Sequence, residues 1–303
     1  MINGIVIINK EKGYTSHDVC AKVRGILRQK KVGHTGTLDP DATGVLPVCL
    51  GNATKLCDVL TDKTKEYVAT LLLGTVTDTL DIGGVVLSQN PVLVSEEEVR
   101  EAVLPFLGKS MQIPPMYSAL KQNGKKLYEL ARAGIEVERQ PRPIEIFEIE
   151  ILDINLPRVE IRILCSKGTY IRSLCDDIGK KLGCGACMEN LQRTRVENFY
   201  LKDACLLQEL EQLKKEDRLC EVIIPVDRVF NDLCKATIKS EFNRILENGN
   251  TCTKEMLLSE WDLNLLRNGQ RILAYHSNGE FYGIYEYFEG ENILKPYKMF
   301  IPG

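Results

Sequence analysis

Fifteen consecutive residues, Gly33-His34-Thr35-Gly36-Thr37-Leu38-Asp39-Pro40-Asp41-Ala42-Thr43-Gly44-Val45-Leu46-Pro47, hold three glycines and two prolines. Such a run cannot be a regular helix or a central strand, because glycine loosens the backbone and proline removes a ladder donor. It has to cross the domain as a shaped loop, with the neighbouring elements built around it. Within it Asp39 precedes Pro40, which biases the aspartate toward an extended backbone. Its carboxylate is thereby carried on a stiff loop, a good place for a nucleophile or a ligand. An ordinary turn, with the aspartate capping its own backbone, satisfies the same composition.

At 303 residues the chain is long enough for two domains. Its 44% hydrophobic and 27% charged content is that of an ordinary globular protein. No apolar run approaches the roughly 18 residues of a membrane span. The N-terminal stretch lacks the charged leader and cleavage site of a signal peptide. The eleven cysteines are an odd number without framework spacing, which points to reduced thiols and a cytoplasmic chain. Cys184 and Cys187 form one C-x-x-C, but the three histidines, His17, His34 and His276, supply no matching ligands for zinc. No metal and no cofactor is expected.

The net charge of −3 does not advertise a nucleic-acid binder. Its distribution is more informative. Lys22, Arg24, Arg28, Lys30 and Lys31 occur with no acid between them, and Lys121, Lys125, Lys126, Arg132, Arg139 and Arg142 form a second basic stretch. Patches of this kind suit phosphate contacts, although a charge run is also the usual dress of a solvated face.

The pattern of elements predicts an α+β chain. A β-branched strand covers 4–9, and a helix capped by Thr15 or Ser16 runs to about Gln29. A short helix at 54–60 and a strand at 66–74 follow the loop. Asp78 to Gly84 is turn-rich. Ser95 and Glu98 make a capping box for a helix to about Leu107. Residues 113–120 are expected to be extended, with a helix at 125–133. The runs 144–154 and 159–166 read as a hairpin turning at Leu156-Pro157. A helix follows from Gly168-Thr169-Tyr170 to about Leu182, then a strand over 189–200. The segment 203–235 is expected to be mainly helical, and 236–303 β-rich with turns at Asn268-Gly269 and Asn278-Gly279.

There is no P-loop, dinucleotide fingerprint or serine elbow, so nucleotide hydrolysis, hydride transfer and triad chemistry have no support. Asp39 and Asp41 diverge on an extended loop, which favours one working carboxylate over a dyad.

Four segments in order resemble the TruB-type tRNA pseudouridine synthases. They are the Asp39 loop; Lys65-Glu66-Tyr67; Pro114 to Lys121 with Gly124, Leu127-Tyr128 and Leu130-Ala131-Arg132; and Lys167 to Leu174, followed by Leu191-Gln192-Arg193-Thr194. Together they span about residues 1–200. Gln192, Glu197 and Cys187 depart from the family's usual Arg, Gly and His. The C-terminal stretch resembles, more loosely, the small RNA-binding barrel called PUA, through Gly269-Gln270, Gly279, Gly283 and Leu294-Lys295-Pro296. Residues 201–303 carry 13 basic against 17 acidic side chains, which weakens an RNA-binding reading there.

The resemblance implies a pseudouridine synthase domain over 1–235, with a mixed, mainly antiparallel sheet flanked by helices, and a PUA-like barrel over 236–303. It implies isomerisation of T-loop uridine 55 of tRNA, with the T-arm stem-loop as partner and the protein acting as a monomer. Asp39 is then the nucleophile. Arg172 pairs with it, and a planar guanidinium can do so through two parallel hydrogen bonds. Tyr67 lies against the base, and Tyr170 and Leu191 complete the active site. His34, Thr37, Lys10, Lys121, Arg132, Arg142 and Arg193 are expected at the RNA. Read without the resemblance, Tyr67 could equally be a core tyrosine, Arg172 a surface ion pair and His34 a loop hydrogen bond. Two other functions remain open: a catalytically silent RNA-folding module, and a guide-RNA-dependent relative.

Overall fold

The strand Gly4–Lys10 is buried on both faces: Ile5 and Ile7 enter one apolar cluster, and Val6 and Ile8 enter another on the opposite side. Its neighbour Thr43–Leu50 repeats the pattern, with Val45 and Cys49 on the first face and Leu46, Val48 and Leu50 on the second. These two strands sit near one end of a ten-stranded sheet in the computed structural model, which describes residues 2–61 and 63–301. Met1, Asp62, Pro302 and Gly303, which fall in the two expected domain ranges, lie outside the described residues.

Along the sheet the strands run 223–224, 4–10, 43–50, 186–196, 65–73, 158–165, 142–155 and 108–112, with 199–200 and 32–34 attached to the side. The pairings are antiparallel except between 43–50 and 186–196, where Gln192 and Arg193 lie parallel to Thr43 and Gly44. The α+β expectation therefore holds. The hairpin forms as read, from Arg142–Asn155 and Arg158–Cys165.

The helix Ser16–Leu27 opens on Thr15 through a capping box with Asp18 and packs, together with Leu207–Lys215, on the Val6 face. It stops at Leu27 because Arg28 turns left-handed at φ 53°. The Ser95 capping box opens Glu96–Val103, and Pro105 in the next turn halts the α-helix sooner than expected. That helix and Ile171–Lys181 cover the other half of the sheet, over Tyr67, Ala69, Leu71, Val159, Ile161 and Ile163.

Three expectations change. Residues 113–120 form no strand and bend at 116–119. Beyond Leu207–Lys215, the segment 203–235 breaks into short 3-10 turns and the strand Ile223–Ile224, which pairs with Ile5 and Val6. The closed barrel is not formed. The C-terminal strands, ordered 257–258, 234–238, 271–275, 281–288 and 293–299, make an open sheet whose outer strands do not pair with each other among the described residues. This sheet begins at Cys234 and shares an apolar cluster with the first one, where Leu273, Ile284 and Phe300 meet Ile5, Ile7, Val45 and Cys49.

Candidate active site

The Asp39 loop is fixed from three sides. From the helix Ser16–Leu27, the Ser16 hydroxyl accepts from the Leu38 amide at 2.9 Å. From the first strand, the Lys10 ammonium donates to the carbonyls of Ala42 at 2.6 Å and Pro40 at 3.0 Å. From below, Arg193 donates to the carbonyls of Val45 at 2.7 Å, Gly36 at 3.3 Å and Thr37 at 3.4 Å. Leu38 and Ala42 are buried in the core beside Tyr67. Gly44 has no freedom to be another residue: its φ is 105°, and a Cβ there would sit 2.2 Å from the Arg193 carbonyl oxygen.

On this frame the Asp39 side chain remains 44% exposed, while that of Arg172 is 8% exposed. The Arg172 Nη2 lies 3.1 Å from Asp39 Oδ2 and donates to the Tyr117 carbonyl at 2.7 Å. Its Nη1 donates to the Thr79 carbonyl at 3.2 Å and to Asp81 Oδ2 at 3.3 Å. The expected two-bond fork onto Asp39 is thus replaced by a hub, in which one guanidinium joins the Asp39 carboxylate, a second carboxylate and two loop carbonyls. Asp81 is aimed by its other oxygen, which accepts from Thr79 Oγ1 at 2.8 Å and the Gly83 amide at 3.1 Å. The sequence reading missed Asp81. Its one trace there is the turn-rich Asp78–Gly84 stretch, which gives no hint of an arginine reaching from residue 172.

Tyr67 and Tyr170 both feel the Asp39 charge, and burial pushes both phenols up. The Tyr67 hydroxyl faces the Arg193 guanidinium. The half-buried Leu191 packs on the same core, opposite Ala69 in the ladder. Asp39, Tyr67, Tyr170, Arg172 and Leu191 are therefore brought into one neighbourhood. Asp41 is exposed and 4.0 Å from Lys12.

The residues expected at RNA divide. Thr37, Lys121, Arg132 and Arg142 are exposed. Arg132 and Lys126 flank the Tyr128 ring at 5.4 and 5.2 Å, so that aromatic face is held between two cations. His34 is half-buried, with its ring edge against His17 at 5.1 Å and its Nδ1 buried without a hydrogen-bond partner. Lys10 and Arg193 are corrections. They are 0% and 1% exposed, and their donors are committed to loop carbonyls, so they hold the loop and leave no donor surface for phosphate.

Burial lowers the Lys10 ammonium from 10.5 to about 8, with Asp39 and Asp41 opposing part of the shift. Below about pH 8 both folded and unfolded chains hold this proton, so the cost of burying the charge is present in full. Between about 8 and 10.5 only the unfolded chain binds it, and this contribution to stability rises with pH. We expect the unfolding free energy of wild type, minus that of Lys10→Met, to grow across this window in denaturant titrations. A flat difference would show an amine with ordinary titration.

Family models extend over the same elements. That of the TruB family pseudouridylate synthase N-terminal domain matches residues 24–171, and that of the tRNA pseudouridylate synthase B C-terminal domain matches 172–231. A protein of Lachnoclostridium phytofermentans named tRNA pseudouridine synthase B is 50% identical over 99% of this chain and 100% of its own length. The chain belongs to the TruB family. A second relative of this synthase, from Bacillus pumilus and with the same name, is 42% identical over 99% of this chain and 98% of its own. Among solved structures, an H/ACA RNP bound to a substrate RNA containing 2′-deoxyuridine superposes with a TM-score of 0.72 at 26% identity, covering 99% of this chain and 85% of that one. The synthase tolerates its departures from the family pattern structurally. Glu197, where glycine is usual, adopts φ 50° and is tied down by Thr64 Oγ1 at 3.0 Å and Lys63 at 3.3 Å. Cys187 is buried, and Gln192 sits in the ladder between Val68 and Thr43.

Proposed function

We infer that the protein converts uridine 55 in the T arm of tRNA to pseudouridine, with Asp39 as nucleophile. The observation that carries this reading is the half-exposed Asp39 carboxylate held 3.1 Å from a buried arginine, on a loop packed against the core that holds Tyr67 and Leu191. The names borne by the relatives supply the substrate. The reaction breaks the N-glycosidic bond, turns the uracil and rejoins the sugar through C5. Atoms are conserved and no electrons are exchanged with a partner, so a carboxylate that adds and later departs suffices. Arg172 fixes where that carboxylate points. Tyr67 offers a face to the base, and stacking of this kind is worth about 1–3 kcal/mol per base. The target uridine has to leave its loop, because its reacting atoms are inaccessible while stacked.

The test is to incubate an unmodified tRNA transcript with the protein alone and map pseudouridine. Modification at position 55 without any guide RNA is expected. A need for a guide RNA would instead favour the ribonucleoprotein-type reading suggested by the H/ACA neighbours, and no modification at all would favour a silent folding module. An isolated T-arm hairpin should react nearly as well as whole tRNA, since the exposed basic side chains suit a compact stem-loop. An inert hairpin beside a reactive tRNA would enlarge the recognition surface.

The burial of Arg193 separates loop-holding from phosphate contact. Arg193→Met should leave the salt dependence of tRNA affinity unchanged while slowing single-turnover chemistry. Arg142→Ala should weaken binding and lower the salt slope by about one unit. A shallower slope in Arg193→Met would return that residue to the RNA interface.

A further inference from the structure

The reaction proposed above uses none of the eleven cysteines. Two of them nevertheless form a built pair. Cys49 is buried in the strand Thr43–Leu50, and Cys57 is half-buried at the start of the short helix Cys57–Thr61. Gly33 lies between them. It is the antiparallel register partner of Cys49, and a Cβ on it would fall 3.0 Å from Cys57 Sγ. Register partners in such a ladder carry Cβ atoms about 4.5–5.5 Å apart. The Cys57 sulfur therefore fills the space that a side chain at position 33 would take, next to Cys49, and both cysteines pack in one apolar cluster. The two thiols sit close enough to act on each other: Cys49 holds Cys57 below its ordinary range, and Cys57 together with burial pushes Cys49 up. On its other side Cys57 opens to a surface cleft lined by Thr54, Lys55, Asp58, Tyr297 and Lys298.

We propose that Cys57 and Cys49 are a reversible redox site, in which Cys57 meets a peroxide in the cleft and Cys49 resolves the product to a disulfide. The arrangement places an accessible thiol beside a sheltered resolving thiol, the layout that favours disulfide over further oxidation. In the first step the Cys57 thiolate attacks one peroxide oxygen, the O–O bond breaks, and hydroxide leaves, giving a sulfenic acid. In the second step the Cys49 sulfur attacks the Cys57 sulfur and the S–O bond breaks. The hydroxyl departs with the Cys49 proton as water. Each sulfur loses one electron and the peroxide gains both. The new bond would lie beside the segment that ties the two sheets, where Lys55 donates to the Met299 carbonyl at 2.8 Å and Lys298 pairs with Asp58 at 2.7 Å.

The test uses the full-length reduced chain, hydrogen peroxide, alkylation of remaining thiols and peptide mass mapping. This readout is independent of tRNA chemistry, so it can fail without touching the proposed activity. A linked Cys49–Cys57 peptide pair is expected, returned to free thiols by dithiothreitol. Cys57→Ser should abolish the link, and Cys49→Ser should leave Cys57 trapped as a sulfenic acid that a dimedone probe captures. Cys20 is near enough to raise Cys49 and to be raised by Cys57, so Cys20→Ser serves as a control that should leave the link intact. A Cys20 link, or oxidation confined to the exposed Cys220 with Cys57 untouched, would overturn the proposal.

Discussion

Asp39→Asn should abolish pseudouridine formation while tRNA binding survives. The substitution keeps the size and polarity of a half-exposed side chain and leaves untouched the loop anchors at Ser16, Lys10 and Arg193. What it removes is the charge and the oxygen proposed as nucleophile. The fall should be on the order of 10⁶-fold, the scale on which removal of a nucleophile is felt in other enzymes. Affinity comes from phosphate and stacking contacts elsewhere and should change little. Asp41→Asn is the internal control. Its carboxylate is exposed and faces Lys12 at 4.0 Å, so its loss should be mild. Single-turnover pseudouridine formation and a separate filter-binding measurement distinguish the effects, and equal loss in both variants would end the single-nucleophile assignment.

Arg172→Lys should lower the rate by roughly 10²–10³-fold although the charge is kept, the scale of losing one preorganised donor. The guanidinium reaches Asp39, Asp81 and the carbonyls of Thr79 and Tyr117 at once, because its nitrogens spread in a plane. An ammonium is a point charge and cannot span all four, so Asp39 loses its fixed direction and a buried carbonyl loses its donor. The damage should fall on the chemical step at saturating protein, with affinity largely kept. A near-native single-turnover rate with weakened binding would reassign Arg172 to holding RNA. Asp81→Asn should reproduce part of the rate loss, since it removes the partner that steadies the other side of the hub.

The chain displays local rules openly and long-range ones poorly. Thr15 with Asp18 and Ser95 with Glu98 announce two helix starts, because capping is settled within four residues. The breaker-rich loop and the hairpin around Leu156-Pro157 are equally local. The motifs point to Asp39, Tyr67 and Arg172, but only folding brings Asp81 to Arg172, across 91 positions. The misassigned Lys10 and Arg193 show why charge alone misleads. A lysine or arginine in a motif looks the same whether it will meet phosphate or close a loop from inside, and the difference lies in burial that strand pairing determines. The 203–235 stretch fails for a related reason, since its short strand at 223–224 exists only because an edge partner at Ile5 and Val6 is waiting.

The shared apolar cluster between the two sheets bears on how this protein can be taken apart or inherited. Leu273, Ile284 and Phe300 cover Ile5, Ile7, Val45 and Cys49, on strands that also position the Asp39 loop, and Asn52 reaches the Ile301 carbonyl at 2.8 Å. A chain cut at residue 235 would leave that face wet, and a C-terminal sheet borrowed from a relative would have to match it side chain for side chain. The C-terminal sheet is therefore poorly portable: a substitution on either side of the seam has to keep the packing of the other.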